Sequence, residues 1–168
     1  MARILGLDVG TTAVRGTVLR TALRKVEVER YVEAPLASAQ PGGPEGPAGR
    51  ADALATAIRE VLAVVGRAPD AIVVAIPGED ASVRPVELPA AAQRRIAEVL
   101  PFELEAVLPF PTEDAILDYQ LIGKEGTRLR LLAAATPKAR IASLLAELRD
   151  AGVVPQEIAV GAAALDGL

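Results

Sequence analysis

The chain has 168 residues, 51% of them hydrophobic, a formal net charge of −4, and neither histidine nor cysteine. That length supports a real buried core in one domain, at most two lobes. The missing residue types exclude a disulfide framework, a Ser-His or Cys-His nucleophile pair and any imidazole or thiolate metal site, and the acidic balance gives no nucleic-acid footprint.

Ile4, Leu5, Leu7 and Val9 form a compact apolar run ended by Gly10, which predicts a buried strand. Val14, Gly16 and Val18 alternate along Ala13 to Arg20, and Val26, Val28 and Val32 continue the pattern from Arg24. Strands joined by short turns in this way predict an antiparallel meander. Pro41 to Gly49 (PGGPEGPAG) reads as a loop. Asp52 is a candidate cap for a helix carrying Leu54, Ile58, Val61, Leu62 and Val65, which Gly66 and Pro69 stop. Ala71 to Ile76 is an apolar strand ended by Pro77-Gly78.

A second unit begins near Ser82. Ser82 to Leu88 reads as a strand, and Ile96, Val99, Leu100, Leu104, Val107 and Leu108 then follow helical spacing. Pro101 inside that run predicts a kink or break. Ala115 to Ile122 and Leu129 to Ala135 are strands joined by a turn at Gly123 to Gly126. Thr136 is placed to cap a helix opened by Pro137, with Ile141, Leu144, Leu145 and Leu148 as its buried stripe and Gly152 as its end. Val153 to Val160 reads as one more strand, and Gly161 to Leu168 as the start of a further element. No apolar run nears the ~20 residues that span a bilayer, and no signal peptide is visible. The expectation is a cytoplasmic chain with no direct membrane insertion.

The sharpest motif is Gly6-Leu7-Asp8-Val9-Gly10-Thr11-Thr12, followed by Arg15. The residues after it alternate as a strand does, whereas a Walker loop or a dinucleotide fingerprint leads into a helix. Backbone amides in a tight turn can still cradle an anion. The Thr11 and Thr12 hydroxyls add donors, Asp8 suits a hydrated Mg²⁺, and Arg15 can reach a phosphate oxygen. The same stretch also fits an ordinary hairpin with an Asx-type turn.

Ile4 to Val18 resembles the first phosphate motif of the actin, chaperone and sugar-kinase superfamily. Four further segments narrow the resemblance to the PilM/GspL family, the assembly-platform proteins of type IV pili and type II secretion. They are Val74-Ala75-Ile76-Pro77-Gly78, Arg84 to Pro89, the series Phe102-Glu103, Leu108-Pro109-Phe110-Pro111 and Asp118-Tyr119-Gln120, and Ala151 to Pro155. Many superfamily members carry lysine where this chain has Arg15, and Val153 stands where the family pattern has leucine.

The resemblance implies the first half of an α/β actin-like (ribonuclease H-like) fold with an inserted small α+β lobe, as in FtsA and PilM. Residues 1–81 and 153–168 would form subdomain 1A and residues 82–152 the inserted lobe, with the second half of the fold outside this chain. It implies ATP and Mg²⁺ at Asp8, Gly10, Thr11, Thr12 and Arg15 in a full-length protein, with Asp8 holding Mg²⁺ through water. It implies a site at the inner face of the bacterial inner membrane and an inner-membrane partner, PilN-like or GspE/GspM-like, with a homo-oligomer as a further expectation. A PilN-like segment would dock as an extended strand in a groove between the lobes, near Ser82 to Leu88 and Ala115 to Leu121. The alternative is the first half of a sugar-kinase-like phosphotransferase, which the lack of histidine, the few aromatics and the single phosphate loop disfavour. Phe102, Phe110 and Tyr119 are expected in the core. Arg94, Arg95, Glu98 and Glu105 are expected on a solvated helix face, and Glu79 and Asp80 in an acidic turn.

Overall fold

The computed structural model describes residues 1–23 and 25–161. Its strands are β1 (Ala2–Val9), β2 (Ala13–Ala22), β3 (Lys25–Pro35), β4 (Ala71–Ile76), β5 (Ser82–Pro89), β6 (Ala115–Glu125), β7 (Arg128–Pro137) and β8 (Glu157–Val160). Its α-helices are α1 (Gly46–Val65), α2 (Ile96–Glu105) and α3 (Lys138–Asp150). The chain forms two compact units, Met1–Pro77 with Ser143–Leu168, and Gly78–Ala142, and the division falls within α3.

The first unit is built on a mixed sheet in the order β3-β2-β1-β4-β8. β1, β2 and β3 pair antiparallel, as the alternation predicts, while β4 and β8 run parallel to β1. Leu5, Leu7, Val9, Val14 and Val18 are buried with Leu54, Ile58 and Val61 of α1. Gly16 lets that helix close on the sheet, because a Cβ there would lie 2.5 Å from Val61 Cγ1 and 3.1 Å from Val32 Cγ1. Arg3 is 8% exposed, and it donates to the carbonyls of Val65 and Arg67 at the end of α1 while its Nε bonds Glu29. A cation there meets the carbonyls that a helix end leaves unpaired.

The second unit is a three-stranded antiparallel sheet in the order β5-β7-β6. Leu88, Ile96, Leu129 and Leu131 form one buried cluster, and Leu100, Leu104 and Ala133 form another. Thus α2 lays its apolar stripe on this sheet.

Several boundaries differ from the sequence reading. α1 starts at Gly46 inside the predicted loop, so Asp52 lies within the helix and does not cap it. Pro47 is tolerated in the first turn, where an N–H would have no intrahelical partner. The helix α2 runs through Pro101 to Glu105, with Leu108 N–H still donating to the Leu104 carbonyl. Thr136 and Pro137 belong to β7, and the Thr136 hydroxyl donates to the Asp80 carbonyl at 2.8 Å instead of capping α3. Val153 continues the end of α3, with Gly152 at φ +83°. The Gly152 N–H bonds the Arg149 carbonyl and the Val153 N–H bonds the Leu148 carbonyl, a Schellman pattern, so β8 begins only at Glu157. Phe102 is 76% exposed on α2 and is not a core residue, and Tyr119 is exposed as well. The element expected over Gly161 to Leu168 lies, apart from Gly161, outside the described residues.

Candidate functional site

β1 and β2 meet with Val9 opposite Val14, which leaves Gly10, Thr11 and Thr12 at the hairpin tip. Gly10 keeps a negative φ. Its glycine is required by close approach, since a Cβ would lie 2.8 Å from the Ala13 carbonyl oxygen. The Gly10 N–H donates to that carbonyl at 3.1 Å and so closes the turn. It is therefore spent, contrary to the expectation that the whole run of amides serves an anion. The Thr12 carbonyl accepts the Leu36 N–H at 2.8 Å, and the Thr11 carbonyl accepts Arg50 at 3.5 Å. In a trans peptide the N–H points opposite to the carbonyl it adjoins. The Thr12 N–H therefore points away from Arg50. Thr11 and Thr12 are exposed, and their hydroxyls have no partner among the described residues.

Register places Asp8 opposite Arg15 and Arg15 opposite Glu33, a row of alternating charge across three strands. Leu7 and Val9 point into the core on one face, so Asp8 emerges on the other. Arg15 Nε donates to Glu33 Oε2 at 3.2 Å, NH2 to Glu33 Oε1 at 3.4 Å, and NH1 to Asp8 Oδ2 at 3.4 Å. NH1 also lies 3.4 Å from where a Gly10 Cβ would sit, which sets it beside the tip. Tyr31 donates its hydroxyl hydrogen to Glu33 Oε2 at 2.9 Å. Hydrogen bonding from Tyr31, then from Arg15, holds the Glu33 carboxyl below its ordinary range. Glu33 in turn raises both the Arg15 guanidinium and the Tyr31 phenol.

The structure thus gathers Asp8, Gly10 and Arg15, with Thr11 and Thr12 at the same tip. Glu33 and Tyr31 escape sequence reading, although their alternation on β3 opposite Arg15 and Thr17 was a usable signal. The arrangement fits the phosphate end of a nucleotide. Arg15 supplies a cation, the Thr11 and Thr12 hydroxyls and the Thr12 amide supply donors, and Asp8 supplies one half-exposed carboxylate. No cluster of three or more metal-ligating side chains exists among the described residues. The Asp80 carboxylate pairs with Arg140 at 2.7 Å within the second unit.

The two edges of the second sheet are unlike. The Ala90 N–H bonds the Thr127 carbonyl, so even-numbered residues of β5 face β7 and odd-numbered ones face outward. Two of those outward positions, Pro85 and Pro89, have no N–H, and a third is Glu87. By the same alternation Leu117, Tyr119 and Leu121 of β6 turn their amides outward. Ile116, Tyr119, Leu121 and Ile122 are exposed along this strand. The Asp118 carboxylate accepts the outward Tyr119 N–H at 2.8 Å. No helix among the described residues is long and apolar enough to cross a membrane.

The family described as type IV pilus assembly protein PilM matches residues 6–166. A solved structure of a PilM-PilN type IV pilus biogenesis complex is similar, with TM-score 0.74 and 26% identity, covering 94% of this chain and 47% of that one. The cytoplasmic domain of EpsL, an inner-membrane component of the type II secretion system of Vibrio cholerae, shares the fold. Its TM-score is 0.62 at 15% identity, covering 94% of this chain and 57% of that one. The chain therefore spans about half the length of these solved relatives. A Bacteroides thetaiotaomicron protein described as having an actin-like ATPase fold is more distant, with TM-score 0.42 and 10% identity, covering 94% of this chain and 52% of that one. No curated protein matches the chain. The α/β fold is the one these PilM and EpsL structures share, and the chain belongs to the PilM family of type IV pilus assembly proteins.

Proposed function

We propose that this protein is an actin-like scaffold of a type IV pilus assembly platform. It works on the cytoplasmic side of the inner membrane and binds an extended segment of a PilN-like partner along β6. The observation that carries this is the open edge of β6. Outward amides at Leu117 and Leu121 lie among exposed apolar side chains, with that of Tyr119 between them held by Asp118, while prolines interrupt the β5 edge. Main-chain bonds to such an edge give affinity, and pockets for alternate side chains give specificity. The solved relative in complex with PilN supports this partner class.

In a protein of the relatives' full length, Thr11, Thr12 and Arg15 would take the phosphates of ATP, Asp8 would hold its hydrated Mg²⁺, and Gly10 would close the turn between them. Bound there, Mg²⁺ would neutralise phosphate charge. Arg15 and the turn would hold the phosphates, and Asp8 would supply a carboxylate to the hydrated metal. Nucleotide would then tune partner binding.

The test is a pull-down with a synthetic peptide of the PilN-like partner's cytoplasmic segment. Binding is expected for the unaltered chain. Leu117→Pro should weaken it about tenfold or more, because it deletes an outward donor while leaving the bonds to β7. No binding with or without Mg-ATP, or an unaffected Leu117→Pro variant, would rule out the edge as the docking site.

A further inference from the structure

We propose that Glu33, steadied by Tyr31, is a positioning residue that aims Arg15 NH1 at a polyphosphate in the Gly10–Thr12 turn. This rests on reading that turn as the phosphate end of a nucleotide site.

A guanidinium offers donors along two edges. In Arg15 the Nε/NH2 edge is committed to the two Glu33 oxygens, at 3.2 and 3.4 Å. NH1 is left beside the Gly10 backbone. There it makes only a long contact, 3.4 Å, to Asp8. Register enforces this division of labour, because Glu33 stands directly across β2–β3 from Arg15 and Asp8 directly across β1–β2. Tyr31, two residues before Glu33 on the same strand, fixes the carboxylate through its 2.9 Å hydrogen bond.

An arginine side chain free to explore its rotamers loses conformational freedom when it clasps an anion. One already pinned along one edge loses less, which is the advantage of preorganisation. The same geometry explains arginine at this position. A lysine ammonium is a compact point charge and has no second planar edge to hold Glu33 while a separate nitrogen faces the turn. The ligand class is a di- or triphosphate, since the NH1 nitrogen, the Thr12 amide and the exposed Thr11 and Thr12 hydroxyls together offer donors to more than one phosphate group.

The experiment uses a protein of the relatives' full length that contains this chain, its Glu33→Gln and Tyr31→Phe variants, and inorganic pyrophosphate with Mg²⁺ as the probe. Binding is followed by calorimetry, and Arg15 by the NMR signal of its Nε–H. The unaltered chain should show a slowly exchanging Arg15 Nε–H, which Glu33→Gln abolishes and Tyr31→Phe broadens. Pyrophosphate affinity should fall about tenfold in Glu33→Gln and about threefold in Tyr31→Phe, with circular dichroism unchanged. Equal or tighter pyrophosphate binding by Glu33→Gln overturns the proposal and makes Glu33 a competitor for Arg15. Failure of the unaltered chain to bind pyrophosphate, with its Nε–H signal intact, overturns the phosphate reading itself and the proposal with it.

Discussion

Gly16 of β2 and Val61 of α1 meet so closely that a Cβ on the glycine would lie 2.5 Å from Val61 Cγ1. Both lie in a close-packed interior, where added volume forces strain. Gly16→Ala should therefore cost about 1–3 kcal/mol of stability. In the Gly16→Ala/Val61→Ala double variant the loss should be smaller than the sum of the two single losses, with a coupling of about 1 kcal/mol. Urea denaturation of the four proteins measures this cycle. Strict additivity would contradict the contact.

Arg3 closes the end of α1 by donating to the carbonyls of Val65 and Arg67. Its removal takes this donor from those carbonyls and leaves Glu29 with Arg20 alone. Arg3→Met keeps the apolar stem and deletes the donors, and should cost about 2 kcal/mol. The loss should appear as a lowered midpoint in chemical denaturation with an unchanged slope.

Leu23, at the β2–β3 turn, holds φ +53° and is fully exposed. A non-glycine side chain in this left-handed region carries a cost of roughly 1 kcal/mol. Leu23→Gly should therefore stabilise the chain by up to about 1 kcal/mol. Gly152→Ala should destabilise by about 1 kcal/mol, because its φ of +83° ends α3. Opposite shifts of the thermal midpoint are expected, and equal signs would refute the backbone argument.

Two carboxylates set the response to acid. The Arg3 guanidinium, chiefly by hydrogen bonding, holds Glu29 below its ordinary range, and Tyr31 and then Arg15 do the same for Glu33. A lowered folded-state pKa means that the unfolded chain binds protons more readily. The stabilisation is complete above the unfolded value of about 4.3 and is lost as pH falls through the lowered values. Tyr31 works in the opposite sense. Its raised value adds stability below about pH 10 that disappears as pH climbs through it. Denaturation between about pH 2 and pH 6 should give a flatter acid limb for Glu29→Gln than for the unaltered chain. Identical limbs would show that the Arg3 contact is not coupled to folding.

The meander and the parallel β4 are legible because each strand buries alternate residues, and Asp8, Gly10 and Arg15 are legible because a short motif lies on that pattern. The start of α1 was hidden by Pro44, Gly46 and Pro47, which read as loop although a first helical turn accepts proline. Pro101 read as a breaker, yet α2 continues through it, held on the sheet by Leu100 and Leu104. Thr136 looked like a cap because nothing local reveals the Asp80 carbonyl, 56 positions earlier in the chain, that claims its hydroxyl. Glu33 was overlooked for the same reason, since its role exists only once β3 has paired with β2.

The prolines on β5 also limit how copies of the second unit can join. Two prolines leave β5 with outward amides only at Val83 and Glu87, so two copies would pair more readily β6 to β6 and would then present proline-interrupted borders on both sides.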